Sequence, residues 1–450
     1  GTVMTAITIL LGEANVLYTF YAPLQAAPTF YIGLALVIVG SWVAAFINFH
    51  QLYRWKKEHK GEKSPLMAFM VVINMLVWFI ASLGVAAAAL IQFIPWSLGL
   101  VGEIDILVSR TLFWYFGHPL VYFWLLPAYM AWYTIMPKII GGKIFSDSLA
   151  RLSFILFLLF SMPVGFHHQL TEPGIDPFWK YIQVILTFAV AIPSLITAFS
   201  MFATFEMAGR AKGKKGLFGW FKALPWGDAR FLAPFVGMLV FIPGGAGGLI
   251  NASHQMNTLV HNTIWVTGHF HLTVATTVML TFFGIAYWLI PHLTGRKLTP
   301  MMNKLGIIQT IVWSIGMAIM SGSMHIAGLL GAPRRSAFSE YGGTEQAKEW
   351  IGYQIGQAVG GSILFIGILL MVFIFVYLAL FAPKGVEEFP VAEYREGDGI
   401  ERTPMVMENW KLWIGVSVAL ILIAYSIPFI DIIQNSPPGS PGFQWPIGRT

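Results

Sequence analysis

"VTGHFHLTVATTV", residues 266–278, sets two histidines two positions apart inside a run otherwise suited to lipid. Each residue of a helix turns about 100°, so His269 and His271 point roughly 200° apart and cannot grip one ion from a single face. A lone histidine in such a place is ordinarily a packed residue, satisfied by hydrogen bonds to neighbouring helices. For a pair serving opposite sides, a helix standing between two flat metal cofactors, one imidazole to each, accounts better for the spacing.

The surrounding chain agrees with a membrane setting. It has 450 residues, 56% hydrophobic and 11% charged, with a mean hydropathy of +0.69, where a soluble domain is roughly 25% charged. Apolar runs near the 20 or so residues needed to span a bilayer lie at about 30–50, 66–94, 107–136, 149–170, 181–205, 231–251, 262–290, 304–330, 351–382 and 410–433. That predicts an all-α polytopic bundle of about ten transmembrane helices, with residues 3–20 as a partial eleventh. Basic loops follow alternate spans, "RWKKEHKGEK" at 54–63, "GRAKGKKG" at 209–216 and "TGRKLTPMMNK" at 294–304, and are expected to face the cytoplasm. Arg110, Lys180, Arg334, Arg335, Lys348 and Arg449 fall on the other side, and the rest of the 27 basic residues fall inside.

The net charge of +6 is therefore a topology signal rather than a nucleic-acid footprint, because the lysines flank spans. The polar stretch "APKGVEEFPVAEYREGDGIERT" at 382–403 reads as one cytoplasmic linker before the last span, and no repeat of fixed period divides the chain. Residues 1–450 are read as a single membrane domain. The opening run from Gly1 has neither a basic start nor a cleavage site, so it is no signal peptide, and the sequence is expected to begin partway into its gene product. With no cysteine, the chain must bind any metal through nitrogen or oxygen.

The 11 histidines are the first suspects. "GFHHQLTEPG" at 165–174 places His167 and His168 where Pro163 and Gly165 loosen the end of a span. Adjacent residues of a regular helix diverge, but irregular backbone lets both reach one ion. "FGHPLVYFWLLPAY" at 116–129 adds His118 in mid-span, with Tyr122 four residues on and so on nearly the same face. Three neutral imidazoles suit copper or zinc. Counted from the loops, His118 lies roughly 16 Å and His269 roughly 12 Å below the outer ends of their spans. His167 and His168 sit at the outer end of theirs, so the candidate ligands share the outer half of the membrane and a common metal site is expected.

From that level His118, Tyr122, Tyr129 and Tyr133 fall within about 60° of one another around their helix. Ser194 and Thr197, with Ser146 in the loop before 149–170, extend this hydroxyl row toward the cytoplasm as a path for protons. The plain alternative is interfacial tyrosines and hydroxyls that glue helices. Arg334 and Arg335 in "LLGAPRRSAF" stand at an outer span end, where a guanidinium pair suits the carboxylates of a buried cofactor, and His261 is placed to assist. Snorkelling explains one such arginine better than two. His50, His59, His254, His292 and His325 are assigned to interfaces or packing. The run "IPGGAGGLINAS" at 242–253 is no phosphate loop and permits close helix approach instead.

"GHPLVY", "GFHHQLTEPGIDP", "HNTIWVTGHFHL" and "APRR", in this order, resemble the catalytic subunit of the haem-copper oxygen reductases, most closely the B-type cytochrome c oxidases, along the whole sequence. The resemblance implies that His118, His167 and His168 hold copper, that His269 ligates a high-spin haem of a or o type, and that His271 ligates a low-spin haem, expected to be b-type. It also implies a covalent bond between Tyr122 and His118, haem propionates among Arg334, Arg335 and His261, and a proton channel through Tyr122, Tyr129, Tyr133, Ser146, Ser194 and Thr197. Leu120 stands where A-type members have a glutamate, which puts a second channel ending there in doubt. Two further helices precede this region in the family, and the second brings the other low-spin axial histidine. Here a truncated sequence or a separate polypeptide is expected to account for it.

The implied reaction is reduction of dioxygen to water with electrons from cytochrome c, entering through a subunit II that carries a copper site, and with proton uptake and pumping across a bacterial or archaeal cell membrane. A nitric oxide reductase of the same fold is the near rival, and Tyr122 argues against it. A secondary transporter would also have interrupted helices but no need of converging histidines.

Overall fold

The computed structural model describes residues 1–389, 403–437 and 439–443. Arg449 and most of the expected linker at 382–403 lie outside the described residues. The principal helices, in chain order, are α1 Pro28–Glu58, α2 Leu66–Ala88, α3 Ile106–Thr134, α4 Asp147–Phe160, α5 Pro177–Ala189, α6 Ala191–Ala211, α7 Ala229–Ala252, α8 Ile264–Leu272, α9 Met279–Thr294, α10 Pro300–Leu329, α11 Glu345–Leu380 and α12 Trp410–Gln434. Extended pairing among the described residues is limited to the isolated bridges Thr263 to Pro333 and Arg296 to Lys384. An all-helical chain follows from its composition, because a backbone in hydrocarbon must satisfy its own N–H and C=O groups.

Local sequence sets the helix ends. Asp176 accepts from the Phe178 amide ahead of Pro177, Thr263 caps α8 through the Trp265 amide, and Thr299 caps α10 ahead of Pro300. Side-chain oxygens at these positions replace missing backbone acceptors, and proline there gives up no bond. At the far end of α9, Gly295 turns the chain with φ +64°, a conformation glycine adopts without strain.

Eight helical stretches among the described residues are long and apolar enough to cross a membrane. Of the ten expected, 107–136 and 149–170 do not meet that standard. α3 has 29 residues, ample length, but carries Arg110, His118 and four tyrosines that lower its apolarity. α4 has only 14 residues and gives way to a 3₁₀ turn, Gly165–Gln169. These are the elements that carry His118, His167 and His168. The partial run at 3–20 is a short helix, Thr2–Leu10, followed by turns.

The chain divides into two compact units, one of Gly1–Phe123, Phe154–Pro193 and Pro404–Thr450, the other of Trp124–Ser153 and Ser194–Thr403. The first has an aromatic core in which Phe20, Tyr31, Phe93 and Phe113 pack edge to face or stacked. The second is centred on Leu280, Phe283, Tyr287, Trp313 and Met317 from α9 and α10. In that unit α8 passes into a π-helical stretch, Thr273–Val278, before α9. A π turn leaves carbonyls without their usual partners. Thr276 and Thr277 supply them, donating to the carbonyls of His271 at 2.8 Å and Leu272 at 3.1 Å.

Candidate metal centre

In the first unit His118 reaches inward from the middle of α3, and His167 and His168 follow from the 3₁₀ turn after α4. α4 cannot continue past Phe160, since the sequence runs into Ser161, Pro163 and Gly165. The turn then brings two adjacent imidazoles to one side. One nitrogen from each of the three histidines lies within 4.8 Å of the others. His118 Nδ1 is 3.2 Å from His168 Nε2. Two nitrogens each about 2.0–2.1 Å from one ion at a tetrahedral angle stand roughly 3.3 Å apart, so this pair has the spacing that a shared ion needs. His118 and His167 are 6% exposed and His168 is half-buried, so two of the three rings are largely shielded from solvent.

The surroundings hold these rings from every side. Trp114, one turn before His118, stacks on His168 with centroids 3.8 Å apart. The Tyr122 ring lies 4.7 Å from that of His118. His167 Nδ1 is 3.0 Å from Thr187 Oγ1 on α5. On the same helix Gln183 accepts from the Phe166 amide at 2.7 Å, and Lys180 donates to the carbonyls of Leu170 at 3.0 Å and Glu172 at 2.6 Å. From α12, the Tyr425 hydroxyl accepts from the Gly165 amide at 2.8 Å. Gln169 donates to Thr111 and Glu172, and Glu172 pairs with Arg110 at 2.5 Å. Burial, the largest influence, holds the Glu172 carboxyl above its ordinary range against the opposing pull of Arg110, Gln169 and Lys180.

The second unit holds the histidine pair. His269 Nδ1 lies 2.8 Å from the Gly244 carbonyl and His271 Nδ1 lies 2.8 Å from the Thr267 carbonyl. A carbonyl can only accept, so each Nδ1 is the protonated nitrogen and each Nε2 keeps a lone pair for a metal. The glycine run of α7 lies against His269: a Cβ on Gly248 would come 3.1 Å from its Cε1 and one on Gly247 3.4 Å from its Nδ1. Close approach thus accounts for the glycine at 248. On the other side a Cβ on Gly268 would come 2.8 Å from His325 Nδ1. These donors fit haem iron, which takes a neutral imidazole whose other nitrogen donates to a carbonyl.

Arg334 and Arg335 are brought to the start of α8. The Arg334 amide donates to the Asn262 carbonyl at 2.9 Å and its Nη2 to Asn262 Oδ1 at 3.0 Å. Asn262 and Arg335 have φ of 56° and 65°, a left-handed geometry that costs a non-glycine residue energy and is held where packing demands it. His261 lies at the same end, its Nδ1 3.1 Å from Asn257 Oδ1.

The hydroxyl row of this unit assembles in pairs. Tyr129 donates to Ser194 at 3.2 Å, Tyr133 to Thr197 at 3.0 Å, and Ser153 lies 2.8 Å from the same Thr197 hydroxyl. Ser146 caps α4, accepting from the Leu149 amide at 3.0 Å. Tyr122 is two turns before Tyr129 on α3.

Sequence reading missed Trp114, Thr187, Gln183, Ser153 and the Arg110, Glu172 and Lys180 cluster. One signal was available: Lys180, Gln183 and Thr187 fall within about 60° on an otherwise apolar helix, and a polar stripe in a membrane span marks a buried face.

The sequence model of a family described as Cytochrome C and Quinol oxidase polypeptide I matches residues 1–363. Cytochrome c oxidase subunit 1 of Thermus thermophilus is 44% identical over 442 residues, 97% of this chain and 78% of that protein. Quinol oxidase subunit 1 of Sulfolobus acidocaldarius is 25% identical over 319 residues, 71% of this chain and 58% of that protein. Among solved structures, a haem-copper terminal oxidase dimer matches with a TM-score of 0.90 and 39% identity, over 98% of this chain and 78% of that one.

Proposed function

The chain belongs to the Cytochrome C and Quinol oxidase polypeptide I family, and from that premise we propose that it is the catalytic subunit of a respiratory oxidase that reduces dioxygen to water with electrons from cytochrome c. The observation that carries the reading is the convergence of His118, His167 and His168 nitrogens within 4.8 Å. These three would hold copper, His269 the iron of a high-spin haem of a or o type, and His271 the iron of a low-spin haem, b-type. When bound, the two haems and the copper deliver electrons to dioxygen, which takes four electrons and four protons to become two waters.

The chain's own residues do the rest. Each haem ligand is oriented by a carbonyl on its Nδ1, which fixes the ring and raises the basicity of Nε2. Arg334, Arg335 and His261, at the start of α8, would offer cations to the carboxylates of the haems. Tyr122, in contact with His118 and covalently joined to it in this reading, holds a phenolic proton and an electron at the copper site. Tyr129 with Ser194 and Tyr133 with Thr197 and Ser153 pass protons inward from Ser146 on the cytoplasmic side, while electrons arrive from outside through a subunit II copper site. Each charge so separated stores about 2.3 kcal/mol per 100 mV of membrane potential.

Reduced-minus-oxidised visible spectra of the purified protein, with and without carbon monoxide, test the reading. Two haem signatures, one of them shifted by carbon monoxide, together with copper on metal analysis, are expected. Haem without copper would move the assignment to a nitric oxide reductase of this fold, and a colourless protein would end the oxidase reading.

A further inference from the structure

Thr187 has one hydroxyl proton, and its oxygen lies 2.6 Å from the Gln183 carbonyl one turn back. A carbonyl only accepts, so the proton is committed there. The same oxygen lies 3.0 Å from His167 Nδ1, and toward that nitrogen it can therefore only accept. With the hydroxyl proton on the Gln183 carbonyl, His167 carries its own proton on Nδ1, and its lone pair is then on Nε2. Gln183, fully buried, is itself fixed at both ends of its amide: Oε1 accepts from Phe166, the residue before His167, at 2.7 Å, and Nε2 donates to the Ala424 carbonyl at 3.2 Å. One residue thus anchors both the histidine-bearing turn and the carbonyl that directs the Thr187 proton.

We propose that Thr187 is a positioning residue of the copper centre, setting the tautomer and ring orientation of His167 through a proton committed to Gln183. This rests on the reading of the triad as a copper site. A hydroxyl that merely fills space would be replaced by an isosteric methyl without effect on the metal. A hydroxyl that accepts the Nδ1 proton would not, because without an acceptor the ring is free to turn or to place its proton on Nε2, where it blocks the ion.

The test uses the holoenzyme and the variants Thr187→Val and Thr187→Ser. The probe is carbon monoxide bound to reduced copper, read by its infrared stretching frequency, with copper retention against a copper chelator as the second readout. Thr187→Val should shift or broaden the stretch and weaken copper retention roughly ten- to a hundred-fold, the usual cost of losing a partner behind a metal-bound histidine. Thr187→Ser should keep the wild-type frequency. If Thr187→Val does not accumulate, Thr187→Ala puts the same question without the added methyl. A valine or alanine variant at the wild-type frequency overturns the proposal, as does a serine variant shifted as far as valine, which would assign the effect to packing. Wild-type protein with haem but no copper would instead sink the copper reading beneath it, and metal analysis separates that failure from the other two.

Discussion

The triad around His118 and the pair on α8 use the same side chain in opposite ways. In the first unit the imidazoles crowd together, His118 and His167 with centroids 4.3 Å apart and His167 and His168 4.1 Å apart. Side chains hold them there: a tryptophan face, a threonine hydroxyl and a glutamine amide. In the second unit the two imidazoles leave one helix on opposite sides, and backbone carbonyls hold them, with glycines clearing the space beside His269. A single ion needs donors from separate elements to converge, so its histidines must be gathered from different parts of the chain. A flat macrocycle takes each axial donor from one face and needs a broad clearance there, so one helix can offer one donor to each of two macrocycles. The teaching is that a metal site is set by what surrounds the imidazoles more than by the imidazoles themselves.

The sharpest way to break the comparison is to remove one ligand from each region. His168→Ala should lower copper affinity by roughly a hundred-fold or more, beyond the loss expected of an outer partner, and metal analysis beside the visible spectrum should find haem retained. Simultaneous loss of haem would mean that the two sites do not assemble independently. Next in size, His271→Ala should erase the low-spin haem bands and leave the carbon monoxide-reactive haem, and His269→Ala should do the reverse. If either variant removes both sets of bands, one helix does not serve two cofactors in the way its spacing implies.

A smaller effect sharpens the contrast in support. Gly248→Val would push a side chain against His269, where even a Cβ comes within 3.1 Å. Overpacking of this kind costs about 1–3 kcal/mol. The carbon monoxide difference spectrum should weaken or shift while copper content stays at the wild-type level.

The smallest expected effect concerns the ionic cluster behind the triad. Burial raises the Glu172 carboxyl above its ordinary value of 4.5, so the folded chain holds that proton more tightly than the unfolded chain does. That preference contributes fully below about that pH and is lost as pH rises through the raised value. Relative to Glu172→Gln, wild type should therefore lose stability with rising pH across this window, with a slope of no more than about 1.4 kcal/mol per pH unit. Thermal unfolding of both proteins at a series of pH values checks it. A flat difference would mean that Arg110 offsets the burial entirely.

The residues were more legible than their environment. His118 stood out because a histidine in an aromatic span is costly, and His167 with His168 because proline and glycine beside them promise irregular backbone. Arg334 and Arg335 were visible as a pair of adjacent cations at the end of an expected span, yet their junction with Asn262 was not, because it depends on two left-handed residues far apart in the chain. Trp114 looked like any other aromatic in lipid. Ser153 looked like any other serine on an apolar helix, since its partner Thr197 is 44 residues away in the chain. The two expected spans that fall short of the apolar standard are the ones next to the triad: α3 holds His118 among four tyrosines, and α4 ends after 14 residues, ahead of the 3₁₀ turn with His167 and His168.

By itself the sequence determined that the chain is helical and suited to a membrane, which residues are chemically able to bind metal, and that His269 and His271 diverge. Those facts follow from local quantities, namely hydropathy, helical periodicity and the donor inventory of each side chain. Only the tertiary structure decided that His118, His167 and His168 share one point, which nitrogen of each α8 histidine is free, and that Thr187 and Gln183 stand behind His167. Convergence and hydrogen-bond direction depend on distances of a few ångströms between residues tens of positions apart, and no pattern along a single chain encodes such distances.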